Sequence, residues 1–308
     1  MQLVCMVVCA VILMNILLHR WVEHEMLDLI SAFFSEEDAE RFKVKRVGQC
    51  VWVVDGPGGT FYLKRRMEMD LEEKITTYLH RCSIMAELPH PTRQGGFITW
   101  SGECGYALYA CIPGIRPGWD ASNMSAIGTY LANLHAVFMH FPSERVKTWD
   151  ISLHTMEWIQ QCSHSPAIDW ARSLMIPFCS QDLEGGKQLV HGDVHPGNLL
   201  IDKEGEVGII DFHRLRVAHR MADAAYFCTH LIIHNGISLP LITAFLKGYG
   251  AESPFKEGEV AQFMHHLTMF IIQYAFYLGQ ADDPFASLSQ LTAVSEAVHD
   301  LMSPPRNT

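Results

Sequence analysis

The sequence of 308 residues carries 34 Asp and Glu against 23 Lys and Arg, a formal net charge of −11. This balance leaves no basic stripe for binding nucleic acid, while 49% hydrophobic residues are enough to bury the core of one large or two smaller domains. The nine Cys are odd in number and form no CxxC pair, which favours a reducing, cytoplasmic setting over a disulfide framework or a zinc knuckle.

An apolar run opens the chain. Residues 3–18 are almost wholly apolar, interrupted by Asn15, and no Lys or Arg precedes them. A membrane span needs roughly 20 residues, and a signal peptide needs a positive region and a cleavage site that this run lacks. A marginal membrane anchor, a helix lying on the domain and an extension upstream of the true start codon all remain open. We treat residues 1–20 as an extension, with membrane contact expected only through residues 1–18.

The first predicted domain, residues 21–112, mixes helices with short strands. Apolar residues at helical spacing predict helices over residues 21–34 and 69–82. Alternating and β-branched residues predict five strands, at 43–47, 50–54, 60–64, 97–101 and 106–112. The glycine-rich sequence 55–59 is predicted to be a hairpin turn rather than a phosphate-binding loop, because no strand-to-helix pattern surrounds it.

The second predicted domain, residues 113–303, is mainly helical. Its predicted helices cover residues 124–141, 152–178, 239–249 and 259–278. Asn123 is expected to cap the first of them, and His135 on its inner face is expected to be a buried core residue. Three residues of the last helix are interpreted as a packed face, with an acceptor pocket as the alternative: His265, Tyr274 and Tyr277.

The most informative stretch is LVHGDVHPGNLLIDKEGEVGIIDF, residues 189–212. Leu199–Ile201 predicts a short strand, residues 203–205 predict a hairpin turn, and Val207–Ile210 predicts the returning strand. An antiparallel hairpin brings the residue before its first strand close to the residue after its second. Asn198 and Asp211 are therefore expected at the same end of the hairpin.

Three side chains of this stretch suit phosphoryl transfer with magnesium. That reaction passes through a highly charged transition state, which proteins stabilise by positioning the reactants and by binding metal ions. We predict that Asp193 orients the acceptor hydroxyl and takes its proton, while Asn198 and Asp211 hold Mg²⁺. A zinc site built on His191 and His195 is the rival interpretation, but it needs a helix that the Gly and Pro of this turn disfavour.

The order His191, Asp193, Asn198 and Asp211-Phe212 resembles the catalytic pattern of protein kinases. The wording HGDVHPGN followed by IIDF is similar to that of the aminoglycoside phosphotransferase and choline kinase group of small-molecule kinases. This resemblance implies a two-lobed, protein kinase-like α/β (α+β) fold. Residues 21–112 would form a small antiparallel-sheet lobe for the nucleotide, and residues 113–303 a mainly helical lobe for catalysis and substrate. The cofactors implied are ATP and Mg²⁺.

The resemblance also assigns residues of the nucleotide lobe. In that group a lysine on the third strand contacts the phosphates and pairs with a helix glutamate. Lys64 corresponds to the lysine and Glu72 to the glutamate, with Glu73 as the alternative. Adenine would be held by the backbone of Ala110 and Ile112.

Two further residues correspond to supports of the catalytic loop. His191, grouped with the catalytic Asp193, is expected to bond the backbone of the loop. Asp223, in the segment MADAAYF, is expected to bond the same backbone from outside the loop.

The phosphate acceptor is expected to be a small molecule. Only eleven residues separate Asp211 from Asp223, and no APE segment follows, so no segment can grip a peptide. Aminoglycosides, amino alcohols, homoserine and sugars all remain open as hydroxyl substrates. The larger acidic excess lies after Gly114, which favours a cationic acceptor.

The loop at 48–50 is shorter than the phosphate loop of most members of the group. This departure supports an alternative hypothesis, in which the protein is a kinase-like binding or scaffold protein of a bacterial surface or sporulation assembly, with little or no transfer activity. Phosphate transfer to an acceptor distinguishes the two.

Overall fold

The computed structural model describes residues 26–66, 70–144, 146–161, 186–236 and 238–277, together with Val298 and Met302. The apolar run at residues 3–18 lies outside the described residues. The chain divides into two compact units, which are described separately below. The first comprises the described residues up to Thr77 and Glu87–Ile112, and the second comprises Tyr78–Ala86 and the described residues from Pro113 onward.

The first unit is built on one antiparallel sheet of five strands in the order β1-β2-β3-β5-β4. The strands are β1 Lys43–Arg46, β2 Val51–Gly56, β3 Gly59–Arg66, β4 Ile98–Ser101 and β5 Cys104–Ala110. Residues 26–31 are helical, a short helix α1 follows at Glu36–Ala39, and helix α2 spans Asp70–Arg81, its last turn belonging to the second unit. The predicted hairpin turn is confirmed, because Gly56 pairs with Gly59 across it.

Strand register separates the two faces of this sheet. Trp52 lies opposite Leu63, which in turn lies opposite Leu108, and this apolar row is buried in the core with Ile30 and Val54. Successive side chains of a strand point to opposite faces. Lys64 therefore emerges on the other face of the sheet from the apolar row.

The second unit is mainly helical and carries two short antiparallel strand pairs. Strand β6 Lys187–Val190 pairs with β9 Arg216–His219, and β7 Leu199–Ile201 pairs with β8 Val207–Ile209. Its helices are α3 Ala121–Phe138, α4 Ile151–Gln161, α5 Met221–Asn235, α6 Leu239–Glu252 and α7 Glu259–Tyr277. The predicted helix over residues 152–178 is thus observed as far as residue 161, and the remainder lies outside the described residues.

Glycines set the closest helix contact of this unit. A side chain on Gly128 of α3 would run into the backbone of Phe245, and one on Gly248 of α6 would run into the backbone of Ser125. The two helices therefore approach until their backbones touch, burying Leu131 and Phe245.

The cap of α3 differs from the prediction. The helix begins at Ala121, and the side chain of Asp120 accepts a hydrogen bond of 2.9 Å from the backbone N–H of Asn123. The prediction that Asn123 caps the helix was wrong. Asp120 has the extended backbone conformation of a capping residue, and its side chain bonds the N–H of the first turn. Among the described residues no helix is long and apolar enough to cross a membrane.

Candidate active site

The loop that follows β6 is held from below by a buried carboxylate. Asp223, near the start of α5, accepts hydrogen bonds of 2.8 Å from the backbone N–H groups of both His191 and Gly192. Its Oδ2 also lies 3.1 Å from Nε2 of His135, whose Nδ1 lies 2.8 Å from the hydroxyl of Tyr249. The expected supporting role of Asp223 and the expected burial of His135 are both confirmed.

Asp223 is ionised in this setting. Burial raises the pKa of Asp223, but the hydrogen bonds from His135 and from the backbone N–H of Gly192 lower it below its ordinary value. A buried carboxylate with several donors is a rigid anchor, because breaking any one bond leaves a charge poorly satisfied. The loop is therefore positioned by a residue more than thirty positions further along the chain.

Asp193 projects from this loop and is surrounded by donors. Its Oδ2 lies 3.2 Å from Nδ2 of Asn198 and 3.7 Å from Nε2 of His195, and its Oδ1 lies 3.4 Å from Nη1 of Arg214. Burial raises the pKa of Asp193, but the His195 hydrogen bond and the charge of Arg214 outweigh it, and the pKa falls to about 2. Asp193 is therefore a carboxylate at any physiological pH.

Asn198 and Asp211 occupy the same end of the β7–β8 hairpin. Leu199 pairs with Ile209, and the backbone N–H of Ile210 donates to the carbonyl of Asn198 at 2.9 Å. Asn198 donates its Nδ2 to the backbone and side chain of Asp193, at 3.0 and 3.2 Å. Its amide oxygen is thereby left as the atom that it can offer to a cation.

Asp211 has an unusual backbone conformation. Its φ of 72° and ψ of 71° lie in the left-handed region, which costs a non-glycine residue of the order of 1–3 kcal/mol and often marks functional sites. One carboxylate oxygen lies 2.8 Å from Nδ1 of His213, and the side chain is 26% exposed. The carboxylate of Asp211 and the amide oxygen of Asn198 are the hard oxygen donors that Mg²⁺ prefers, so this donor set fits magnesium.

His191 lies behind the loop rather than facing solvent. Its Nδ1 accepts a hydrogen bond of 3.3 Å from the backbone N–H of Asp193, and its ring packs edge-on against Phe212 at 4.8 Å. Burial lowers its pKa to about 4 despite the nearby carboxylates, so the imidazole is neutral. It bonds the loop backbone, as the resemblance implied. No group of three His, Cys, Asp or Glu side chains suited to a metal exists in the described part of the chain.

The first unit contains a buried cluster around Lys64. Its Nζ donates two hydrogen bonds to Glu87, at 2.8 and 2.6 Å, and lies 4.0 Å from Oε1 of Glu72. The ammonium also lies 4.7 Å from the ring centre of Tyr109, and all three ionisable residues are buried. The predicted partner Glu72 is thus within reach of Lys64, but the shorter contacts are made by Glu87, which the sequence analysis did not single out.

The remaining assignments of the first unit are less distinctive. Ala110 ends strand β5 opposite Phe61 and is exposed, whereas Ile112 is buried. The short loop after β1 is held by Arg46, whose guanidinium donates to the carbonyls of Gly48 and Gln49 at 3.0 and 2.6 Å.

Sequence reasoning also missed Arg214, Arg216 and Tyr226. Tyr226 neighbours Asp193, and burial and the Asp193 carboxylate raise the pKa of its hydroxyl well above the ordinary value. Arg216 donates to the carbonyl of Gly192 from strand β9. No local pattern marks these residues, because the pairing of β9 with β6 brings Arg214 and Arg216 to the loop, and Tyr226 comes from helix α5.

Comparisons with known proteins agree with this architecture. A sequence model of the "Phosphotransferase enzyme family" matches residues 44–263. The structure is similar to that of amicoumacin kinase hAmiN in complex with AMP-PNP, Ca²⁺ and Ami (TM-score 0.65, 17% identity, covering 86% of this chain and 90% of that one). No curated protein matches the chain.

Two further solved structures share the fold. An aminoglycoside phosphotransferase from Alicyclobacillus acidocaldarius has a TM-score of 0.65 at 13% identity, covering 89% of this chain and 93% of that one. Choline kinase LicA from Streptococcus pneumoniae has a TM-score of 0.60 at 13% identity, covering 91% and 99%. The predicted kinase-like fold, with its antiparallel sheet and mainly helical part, is confirmed. The chain belongs to the phosphotransferase enzyme family, and it is a small-molecule kinase.

Proposed function

We propose that the protein transfers the γ-phosphate of ATP, with Mg²⁺, to a hydroxyl of a small molecule. The observation that carries this proposal is the convergence of Asp193, Asn198 and Asp211 on one loop and hairpin. Asp193 is ionised and hydrogen-bonded to Asn198, while Asp211 follows the strand that pairs with Leu199.

Each residue has a chemical task in this proposal. Asp193 accepts a hydrogen bond from the acceptor hydroxyl and aims its oxygen at the phosphorus. A carboxylate with a pKa of about 2 is a weak base, so Asp193 orients the hydroxyl and receives its proton late, which suits a loose transition state. Asn198 and Asp211 would hold Mg²⁺, which when bound neutralises charge on the phosphates.

We assign nucleotide binding to residues 21–112 and catalysis with acceptor binding to residues 113–303. Lys64 would contact the phosphates, positioned by Glu87 and Glu72, and the backbone of Ala110 and Ile112 would hold adenine. AMP-PNP in amicoumacin kinase and ADP in a spectinomycin phosphotransferase support ATP as the donor. The five described cysteines are free thiols, in keeping with the proposed cytoplasmic setting.

Replacement of Asp193 by Ala tests the proposal. We expect ATP turnover with a panel of hydroxyl compounds to fall at least about 100-fold, because the acceptor is no longer oriented. Thermal stabilisation by Mg²⁺ and ATP should be nearly unchanged. Glu204→Ala, at an exposed carboxylate of the hairpin turn, is the matched control and should retain full turnover. Equal turnover in wild type and Asp193→Ala would refute the assignment.

A second candidate function is binding without transfer. The observation that favours it is the short loop at 48–50, whose carbonyls are closed onto Arg46. If the protein only binds nucleotide, Mg²⁺ and ATP should stabilise it, but it should phosphorylate no member of the acceptor panel. Acceptor-dependent formation of ADP would exclude this function.

A further inference from the structure

A cavity of about 780 Å³ lies in the second unit next to Asp193. Two of its lining residues are neighbours of that carboxylate: Arg214, at 3.4 Å, and Tyr226. Its volume falls in the range that holds ordinary small-molecule ligands. A molecule in this cavity could therefore present a hydroxyl to Asp193.

The charge of the lining is positive. The described lining residues include Lys147, Arg214 and Arg216, and none of them is Asp or Glu. The potential inside a cleft follows the charges of its walls rather than the net charge of the chain, since low-dielectric walls focus the field. The cavity is therefore basic within an acidic protein.

Arg216 is the most telling of these cations. It donates to the carbonyl of Gly192 and its guanidinium lies 4.0 Å from the ring centre of Trp149, but its Nε is buried without a hydrogen-bond partner among the described residues. No described ion pair includes it, although Asp223 and Asp193 act on it from further away. Burial lowers its pKa, which reflects the cost of keeping this charge out of water.

Arg216 fits beside the loop because residue 192 is a glycine and has no side chain. Gly192 has a φ of +79°, and a Cβ there would collide with the guanidinium of Arg216 and the carbonyl of Arg214. The guanidinium is thus built into the base of the catalytic loop.

Much of the remaining wall is aromatic. Trp149 stacks on Phe270 at 5.8 Å, and Tyr226 contacts the same Phe270 at 4.9 Å. Tyr274 completes this side. The wall suits an apolar or ring-shaped body, and Tyr274 thereby takes part in a pocket, which was the alternative interpretation of the last helix.

We propose that this cavity binds an acceptor that carries a carboxylate in addition to its hydroxyl, and that Arg216 pairs with that carboxylate. The inference rests on the proposed phosphotransferase function and specifies its substrate class. It replaces the expectation of a cationic acceptor, which was drawn from the acidic excess of the sequence after Gly114. An acidic ligand compensates the half-buried guanidinium, whereas a cationic ligand adds like charge to it.

Binding without nucleotide tests the inference first. We use two series of compounds, and the members of each series differ mainly in charge. One series is glucuronate, glucose and glucosamine, and the other is mandelate, benzyl alcohol and phenylethanolamine. We expect an acid of at least one series to bind wild type, measured by calorimetry, at least about 10-fold more tightly than its neutral and cationic counterparts. Binding that favours the amines, or that occurs with no acid, would overturn the inference.

Substitutions locate the binding. Arg216→Gln should weaken binding of the acid about 10- to 100-fold, and Arg216→Lys should weaken it less. Lys147→Gln, at an exposed lining residue, should weaken it a few-fold and guards against a folding defect in the Arg216 variants. Lys203→Gln, at a charge on the hairpin turn, is the control and should bind like wild type. Unchanged binding in both Arg216→Gln and Lys147→Gln would contradict the inference.

Transfer separates this inference from the proposed function. With Mg²⁺ and ATP, the binding acid should become phosphorylated, and Arg216→Gln should raise the KM for the acid while leaving the KM for ATP unchanged. An acid that binds through Arg216 but is not phosphorylated would count against the proposed function and leave the carboxylate site standing. Phosphorylation of the amines in preference to the acids would support the function and refute the carboxylate site.

Discussion

The two units stabilise a cation that is wholly or partly buried in opposite ways. In the first unit Lys64 is met by two carboxylates, with Glu87 at 2.6 Å and Glu72 at 4.0 Å. In the second unit Arg216 is met by a backbone carbonyl and the face of Trp149, and no described ion pair includes it. The protein itself supplies the negative charge for Lys64, whereas it leaves the charge of Arg216 for another molecule to compensate.

This difference indicates which of the two cations, Lys64 or Arg216, stabilises the fold in the absence of ligand. Removing one partner of a buried ion pair costs about 3–5 kcal/mol, so the Lys64 cluster holds its own strand and helix in place. Arg216 carries part of that cost already, because its charge is half-buried without an ion-pair partner. Such a group contributes little to folding and much to ligand binding.

The largest expected effect comes from Gly192→Ala, which would break the arrangement around Arg216. The new side chain must adopt a φ of +79° and displace the guanidinium, so we expect a loss of at least about 3 kcal/mol in the free energy of unfolding. Gly205→Ala is the matched control, since its φ is +86° and no atom lies within 4 Å of a new Cβ. It should lose only about 1 kcal/mol. Chemical denaturation measures the free energy of unfolding of both variants. Equal losses would show that a side chain at position 192 does not collide with Arg216.

A smaller effect distinguishes the two partners of Lys64. Glu87→Gln removes both short hydrogen-bonded carboxylate contacts and should cost about 2 kcal/mol, because Glu72 at 4.0 Å compensates only in part. Glu72→Gln leaves the short pair intact and should cost less than about 1 kcal/mol. Urea denaturation of the two variants gives the ranking. A larger loss for Glu72→Gln would mean that the helix glutamate is the principal partner.

The smallest effect concerns His230 of α5, which packs against the cavity residues Tyr226 and Tyr274. Burial lowers the pKa of His230 to about 4. Its ring faces His195 of the loop at 5.0 Å, Tyr274 of α7 at 5.4 Å, and Tyr226 and His234 of its own helix. The positive charges of His195 and His234 add to the lowering, and Asp193 opposes it.

The sign of the pH dependence follows from this lowered pKa. The unfolded chain binds a proton near pH 6.5 and the folded chain only near pH 4, so the stability due to neutral His230 is present above pH 6.5 and is lost as the pH falls toward 4. Between pH 7 and pH 5 His230→Gln should lose about 1–2 kcal/mol less stability than wild type. The exposed His140→Gln is the control and should follow wild type. Denaturation midpoints at the two pH values measure the difference, and parallel curves for His230→Gln and wild type would disprove it.

Much of the fold and part of the site could be predicted from local patterns. The hairpin 199–209 was predicted from its turn residues and strand pattern, and its register then placed Asn198 and Asp211 at one end. The observed register of β3 in turn puts Lys64 on the face of the sheet opposite the apolar row. The misplaced cap of α3 shows the limit of this reasoning, because Asp120 and Asn123 are both good caps and only the backbone conformation distinguishes them.

The sequence by itself determined the family, the kinase-like fold and the Asp193, Asn198 and Asp211 pattern, since these depend on residue type at short, fixed spacing along the chain. Only the tertiary structure decided that Glu87 is the closer partner of Lys64 and that Arg216 contacts the loop that carries Asp193. It also decided that the cavity beside Asp193 is basic although the chain is acidic. The physical reason is that charge pairing acts through space, between residues that strand pairing and helix packing bring together from distant parts of the chain.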